Sequence, residues 1–483
     1  LEPVHPIVVP EDLLPQLTDD TLFDLSDGKT IDLSVEQAIL LSLQNNQDLR
    51  VRQIKPVIAG TFEKIERGVY DAEFFAELEF TEEKNSETDQ TGDRTAVEEN
   101  DHTAVVGLRQ KLPFGTTVEA SVEQYRSDSS SDVRNQNARM GLSVTQSLLR
   151  GFGPAALNTT ATIHELRGVT EALLADTETA YWDYVLARQK IDIFERSLTI
   201  AMQQLDEIRQ RIEVGILPKI EKAAAHAEVA RREQALIDAR SKLEENRLLL
   251  LRLINPGGDG QMDFQINAIS ETLIDPEPVT DLDDRLQLAR KSRPDLNEAR
   301  LRLQQNRLEI IITRNGILPK LDLFISLGKT GYGESFSDSF RNMDENTHDF
   351  TVGIRMSHFL GNRQADARNL AARASWQQSS EAVKNLEQIV VLDVRLAVNE
   401  VERIRQQIAA TRVTRILQEE TLHAEKERFD VGASTALLVA QAQRDLLASS
   451  ISEVEAVVNY RQALVALYLI ESSLLERRGI RLS

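Results

Sequence analysis

Between Asn362 and Val431 the chain contains neither glycine nor proline, and the same holds from Ala433 to Arg478. The first of these stretches is 70 residues long. Wound as a helix at 1.5 Å per residue, it spans roughly 100 Å. No globular domain houses such a helix, since helices there average about 11–12 residues. Within the stretch Val383, Leu386, Val390, Val394, Ala397, Val401, Ile404 and Ile408 recur at steps of three and four, as in the seam of a coiled coil. Phe194, Leu198, Ala201, Leu205, Ile208 and Ile212 follow the same spacing earlier in the chain. Stripes of this kind are helix core in the first instance; it is their length that constrains the fold.

The long helical stretches are punctuated by an echo. "RIEVGILPKIEKAAAHAEV" from Arg211 and "RFDVGASTALLVAQAQRDL" from Arg428 share an Arg-apolar-acid-Val-Gly turn followed by an alanine-spotted helical run. Their glycines, Gly215 and Gly432, lie 217 positions apart. A second echo pairs "NNQDLRVRQ" from Asn45 with "SRPDLNEAR" from Ser292, at an offset of 247. Repeats this long and diverged mean a duplicated domain, not a solenoid with a period of about 20–50 residues. The two offsets differ by 30, so the first half carries about 30 residues that the second lacks. Each half reads helix, strands, long helix, turn, long helix. A helix that reverses needs a residue tolerant of positive φ just past its end, and glycine supplies it. On the residues alone, both glycines read as helix caps, as parts of a docking surface, or as both.

Between the helices the apolar period changes from 3.6 to 2. Phe350, Val352, Ile354 and Met356 alternate with Thr351, Gly353, Arg355 and Ser357. Leu321, Leu323, Ile325 and Leu327 form one face; Met140, Leu142, Val144 and Leu148 form another; Phe74, Ala76, Leu78 and Phe80 a third. These are strands with one apolar face, close to the ~9–11 residues that cross a membrane in a barrel. A soluble sandwich gives the same alternation. The polar, acidic segments from Thr81, Ser127 and Lys329 read as loops joining the strands. The surplus of the first half falls around "KLPFGTT", with Val106 and Leu108 alternating before it and Val118, Ala120 and Val122 after it, an inserted hairpin that keeps the strand count even.

With 41% hydrophobic and 28% charged residues among 483, the chain affords a packed structure. Its net charge of −21 argues against a nucleic-acid partner, which wants a basic stripe. The absence of cysteine excludes disulfides, thiolate metal sites and a cysteine lipid anchor in this span. The chain opens at Leu1 with no basic segment followed by an apolar one, so an export signal is expected to have been removed or never to have existed. No run approaches the ~20 apolar residues of a membrane helix, so any membrane contact is expected through strands. No enzyme signature is found: the seven histidines are scattered, and there is no phosphate-binding loop, dinucleotide fingerprint or nucleophile elbow. No catalytic residue, cofactor or metal is expected.

Long helices, strands between them, an internal duplication and a Val-Gly turn heading the last helix of each half together resemble the TolC-like outer membrane efflux protein family, over residues 31–477. The resemblance implies an α+β membrane protein: a homotrimer whose strands form one outer-membrane β-barrel, continued by a long periplasmic α-helical barrel built from two repeats. It implies a passive exit duct of a tripartite efflux or type I secretion system, working with a periplasmic adaptor and an inner-membrane pump. The alternative is a periplasmic coiled-coil adaptor or scaffold, which leaves the lipid-grade strands without a purpose. The expected organisation is an N-terminal extension (1–30), a helix (31–72), strands and surface loops with the extra hairpin (73–150), long helices (151–254), an equatorial linker (255–280), a helix (281–318), strands (319–360), and long helices with a C-terminal equatorial segment (361–483). Val214, Gly215, Val431 and Gly432 are carried over as adaptor-docking tip turns, and Phe350, Val352, Ile354 and Met356 as lipid-facing. Family members often place acids six and nine residues past the second turn glycine, ringing the closed aperture. Here those positions hold Leu438 and Gln441, while Glu221 stands six past the first glycine. Leu438, Gln441 and Glu221 are therefore the aperture candidates, and a Leu438 ring gates by apolar contact. The family norm is four strands per protomer; the extra pair either widens the barrel or sits outside it.

Overall fold

The computed structural model describes residues 30–88, 94–129, 135–151, 161–256, 261–271, 276–344 and 346–480. The expected extension thus lies, but for Thr30, outside the described residues. The chain divides into two compact units.

One unit gathers residues 30–57, 161–300 and 382–480. Its elements are β1 (Thr30–Leu33), α1 (Val35–Asn45), the start of α2 (Gln47–Gly68), α3 (Ala161–Glu213), α4 (Glu221–Ile254), β6 (Gln265–Ala268), α5 (Leu282–Ser292), the start of α6 (Pro294–Ile317), most of α8 (Arg363–Asp430), α9 (Ala436–Ile470) and α10 (Leu474–Arg477). The stripes read from the sequence are its helix contacts: Val390, Val394 and Val401 are fully buried and Ile404 nearly so, as are Ala201, Leu205 and Ile208 on α3. Capping defines the short helices. Ser34 closes a capping box with Gln37, its hydroxyl accepting from the Gln37 N–H and the Gln37 side chain accepting from the Ser34 N–H.

The core of this unit surrounds a two-stranded parallel pair, β1 with β6, in register from Thr30 with Gln265 to Leu33 with Ala268. Leu33 and Ile266 pack with Leu174, Tyr181, Leu250, Ile254 and Leu474. Tyr181 donates its hydroxyl to the Leu33 carbonyl at 2.9 Å, and Tyr184 donates to that of Ile266 at 2.5 Å. Residues 30–33 fall almost wholly within the span read as helix. Four-residue strands carry too little periodicity to register, and their partners are 235 positions away. Buried carboxylates here are each matched by an arginine. Arg478 forks onto Glu178 at 2.7 and 2.6 Å, and Arg285 reaches Glu471 at 2.6 Å. Arg167 bridges Glu171 at 3.2 Å, Glu476 at 2.5 Å and the Ser472 carbonyl at 3.0 Å. Glu171 is 1% exposed, and burial pushes its carboxyl up to about 7 despite the arginine.

The other unit, residues 58–151 and 301–381 as described, is built on a six-stranded sheet. Its strands are β2 (Glu73–Thr88), β3 (Arg94–Lys111), β4 (Thr116–Ser129), β5 (Asn135–Ser147), β7 (Lys320–Gly333) and β8 (Asp349–Ser357), in that spatial order and antiparallel throughout. Both strands of the inserted hairpin join this sheet. Two expectations fail at its far end. The segment from Thr81 reads as a loop, yet β2 and β3 run on as a paired ladder to Thr88 and from Arg94. A hairpin ladder propagates by backbone hydrogen bonds, and polar strands persist where both faces are wet and cross-strand pairs such as Lys84–Glu98 (2.7 Å) match. The segment from Lys329 likewise continues β7 to Gly333 and then turns into α7 (Phe336–Arg341).

Candidate functional site

The two echoed turns share one backbone mechanism. In the first, Ile216 N–H donates to the Arg211 carbonyl at 2.8 Å and Gly215 N–H to that of Ile212 at 3.0 Å; in the second, Ala433 N–H donates to Arg428 at 2.7 Å and Gly432 N–H to Phe429 at 3.0 Å. Both are Schellman closures, with Gly215 at φ 77° and Gly432 at φ 78°. The next helices start differently. Thr435 caps α9 by accepting from the Leu438 N–H at 3.3 Å, whereas α4 begins at Glu221 with no side-chain cap.

The fold brings the two turns together. Arg211, from the first, lies over the ring of Phe429 at 4.7 Å and bonds Asp430 at 2.5 Å, both from the second. Beneath them Ile208, Phe429, Ala436 and Val439 form a small buried cluster. Outside it, apolar side chains stand in solvent: Val214 and Val431 are 70% and 79% exposed, and Ile216, Ile220 and Leu437 are also largely open. Leu438 is 43% exposed, Gln441 exposed and Glu221 partly so. Ile216, Ile220 and Leu437 were not singled out from the sequence; their signal is an apolar residue within a few positions of a turn glycine. Beside the turns a groove of about 130 Å³ runs between α3, α4 and α9, floored by Ala224, Ala227, Ala436 and Ala440 and flanked by Arg231 and Arg444. The alanines that spot both echoes make that groove.

On the sheet the register aligns one apolar rank across all six strands: Phe74, Leu108, Ala120, Leu142, Leu327 and Phe350. Phe350, Val352, Ile354 and Met356 are 56–69% exposed on this face. The opposite face is polar. Arg139 bonds Asp349 at 2.7 Å across Gly328, and Arg109 bonds Glu119 at 2.7 Å. Two matched clusters lie on that face. Phe75 covers its cross-strand partner Gly107, with Arg109 stacked on the ring at 4.8 Å; Phe324 covers Gly353, with Arg355 at 5.3 Å. A Cβ on either glycine meets the phenylalanine ring at 2.6 and 2.4 Å respectively, so these glycines are fixed by aromatic cover. The signal, "VGLR" at Val106 and "VGIR" at Val352, is a third echo that passed unread.

Among the described residues no group of three metal-ligating side chains occurs, and no helix is long and apolar enough to cross a membrane. Glycine-closed long helices and a sheet with one apolar face are a combination of elements that this chain shares with solved outer-membrane channels. The solved channel OprN matches at TM-score 0.67 with 15% identity, covering 97% of this chain and 98% of its own. VceC of Vibrio cholerae matches at 0.62 with 16% identity, over 93% and 97%. The CmeC outer membrane channel of Campylobacter jejuni matches at 0.64 with 14% identity, over 91% and 86%. No curated protein matches the sequence. Residues 285–471 match the model of the outer membrane efflux protein family.

Proposed function

We propose that this chain is the outer-membrane exit duct of a tripartite assembly, passing substrate across the periplasm and outer membrane with no chemistry of its own. The match of residues 285–471 to the outer membrane efflux protein family supports an outer-membrane efflux channel of a Gram-negative bacterium with a large periplasmic helical part. The observation that carries the duct reading is the sheet: one continuous apolar face, one polar face and two unpaired edges, β2 and β8. In lipid an open edge leaves backbone groups unsatisfied at several kcal/mol each, so the sheet must close on other copies. Three copies of a six-stranded sheet supply eighteen strands, wide enough for a water-filled lumen. The apolar rank then meets lipid and the arginine-bearing face lines the passage. Exposed Val51, Ile58, Phe62 and Ile65 on α2 would be covered by the neighbouring copy.

In the helical unit the paired turns, with Val214, Gly215, Val431 and Gly432, present an apolar rim and a small-residue groove suited to a helical hairpin of a periplasmic adaptor, which in turn engages an inner-membrane pump. Nothing favours the adaptor or scaffold reading. The test is reconstitution of the full chain in planar bilayers, with transport followed in cells lacking their own duct. Discrete conductance and restored export are expected. A chain that inserts without conducting, or that needs no detergent for extraction, would sink the reading.

A further inference from the structure

A cavity of about 660 Å³ opens at the end of the sheet where β3, β5 and β7 meet their neighbouring turns. Lys111, Arg150, Lys320 and His358 line it, with the hydroxyls of Ser147 and Ser357. Alternation places Lys111, Lys320 and Ser357 on the polar face, two positions from Arg109, Asp322 and Arg355 respectively. No carboxylate among the described residues lines it; Asp322, 4% exposed, lies behind the lining, accepts from the Ser147 hydroxyl at 3.0 Å and pairs with Lys320 at 3.2 Å. Among the described residues Lys111 and Arg150 form no ion pair. In a chain of net charge −21, Lys111 and Arg150, gathered beside the paired Lys320 in one concavity, repel each other and focus a positive field into it.

We propose that this cavity is a binding site for multivalent phosphate-type oxyanions. A planar guanidinium and two flexible ammonium groups match a tetrahedral oxyanion, the first as a fork and the others as point charges, and the Ser357 hydroxyl can donate to a remaining oxygen. The volume admits a small polyphosphate. The same phosphate chemistry is carried by free solutes and by anionic lipid headgroups. The cavity lies on the face opposite Phe350, Val352, Ile354 and Met356, which selects the solute. The proposal concerns a single chain and does not depend on closure of a barrel.

The test is titration calorimetry of the full-length protein with inorganic pyrophosphate at low salt, in nanodiscs of phosphatidylcholine. Saturable binding at one site per chain is expected. Lys111→Gln and Arg150→Gln should each weaken it about tenfold, as loss of one charged hydrogen-bond partner does. Asp322→Asn, which removes the competing carboxylate, should tighten it severalfold. Arg341→Gln, at an exposed arginine outside the cavity, should leave it unchanged. Raising salt should weaken binding, as for any partly exposed charge pairing. Absence of binding by the wild type, or equal losses in Arg341→Gln and Lys111→Gln, would overturn the site. The same titration with half the lipid replaced by phosphatidylglycerol separates the sources. Unchanged affinity supports the solute, whereas suppression identifies a lipid headgroup as the occupant and overturns the solute assignment.

Discussion

At Gly432 the two costs of adding a side chain come apart: nothing lies within 4 Å of a Cβ built there, yet φ is +78°. Space is free and the backbone is strained, so the outcome depends on conformation alone. Gly432→Val should weaken the turn by about 1–2 kcal/mol, while Gly432→Asn, which tolerates the left-handed region, should be mild. Export should fall with valine while the protein still inserts; normal export by the valine variant would remove the turn from the proposed docking surface. Glu171 makes a second prediction at this scale. Burial raises its folded pKa to about 7, above the ordinary glutamate value of about 4.5, so the folded state holds a proton that the unfolded state releases between those values. Stability contributed by the protonated form is therefore present below the unfolded pKa and is lost as pH rises through about 7. The loss is of order 3 kcal/mol. Thermal midpoints should fall from about pH 4.5 to about pH 7 and level off above it, and Glu171→Gln should flatten the profile; an unchanged slope in the variant would assign the dependence elsewhere. Gly215 and Gly432 were legible because a repeated turn is a local pattern. Glu171 was not, because its burial comes from tertiary packing that brings Ser472, some 300 positions along the chain, beside it.

At the scale of elements, β8 offers the cleanest contrast. Ile354 lies on the apolar face and Thr351 on the polar one. Ile354→Arg should cost about 2–4 kcal/mol near a bilayer midplane, and Thr351→Arg little. Folding yield into lipid vesicles against urea checks this, and equal yields for the two variants would undo the assignment of faces. What could be read from the sequence follows from period and length. A 68-residue helix such as α8 announces itself by the absence of breakers, and a strand such as β8 by alternation. β1 and β6 escape because four residues give two alternations at most. The outer half of β2 escapes because "TEEKNSET" has no apolar member, and its strand state is imposed by pairing with β3. The Phe75–Gly107 and Phe324–Gly353 covers escape for a related reason: a glycine in a strand signals a close approach without naming what approaches.

At the scale of the whole molecule, the open sheet predicts that no folded monomer survives in detergent. Light scattering that finds one would contradict closure by three copies. If Leu438 from three copies meets on an axis, the resting conductance should be low and weakly charge-selective. Leu438→Asp should then confer cation preference and block by multivalent cations at low salt, and Leu438→Ser should raise resting conductance. Strong cation selectivity abolished by Glu221→Gln but untouched by Leu438→Ser would place the constriction on the first repeat instead. The parallel pairing of β1 with β6 has a further consequence, for the order in which the chain comes to rest. Thr30 finds Gln265, and the same core closes over Leu474 and Leu475. Contacts so remote in sequence make this a unit of high contact order, slow to nucleate because chain entropy must be spent before any contact rewards it. The first strand to arrive must wait for nearly the last helix. Throughout that interval the apolar side chains of this core, Leu33, Ile266 and Leu474 among them, stay unburied and open to association between copies of the chain.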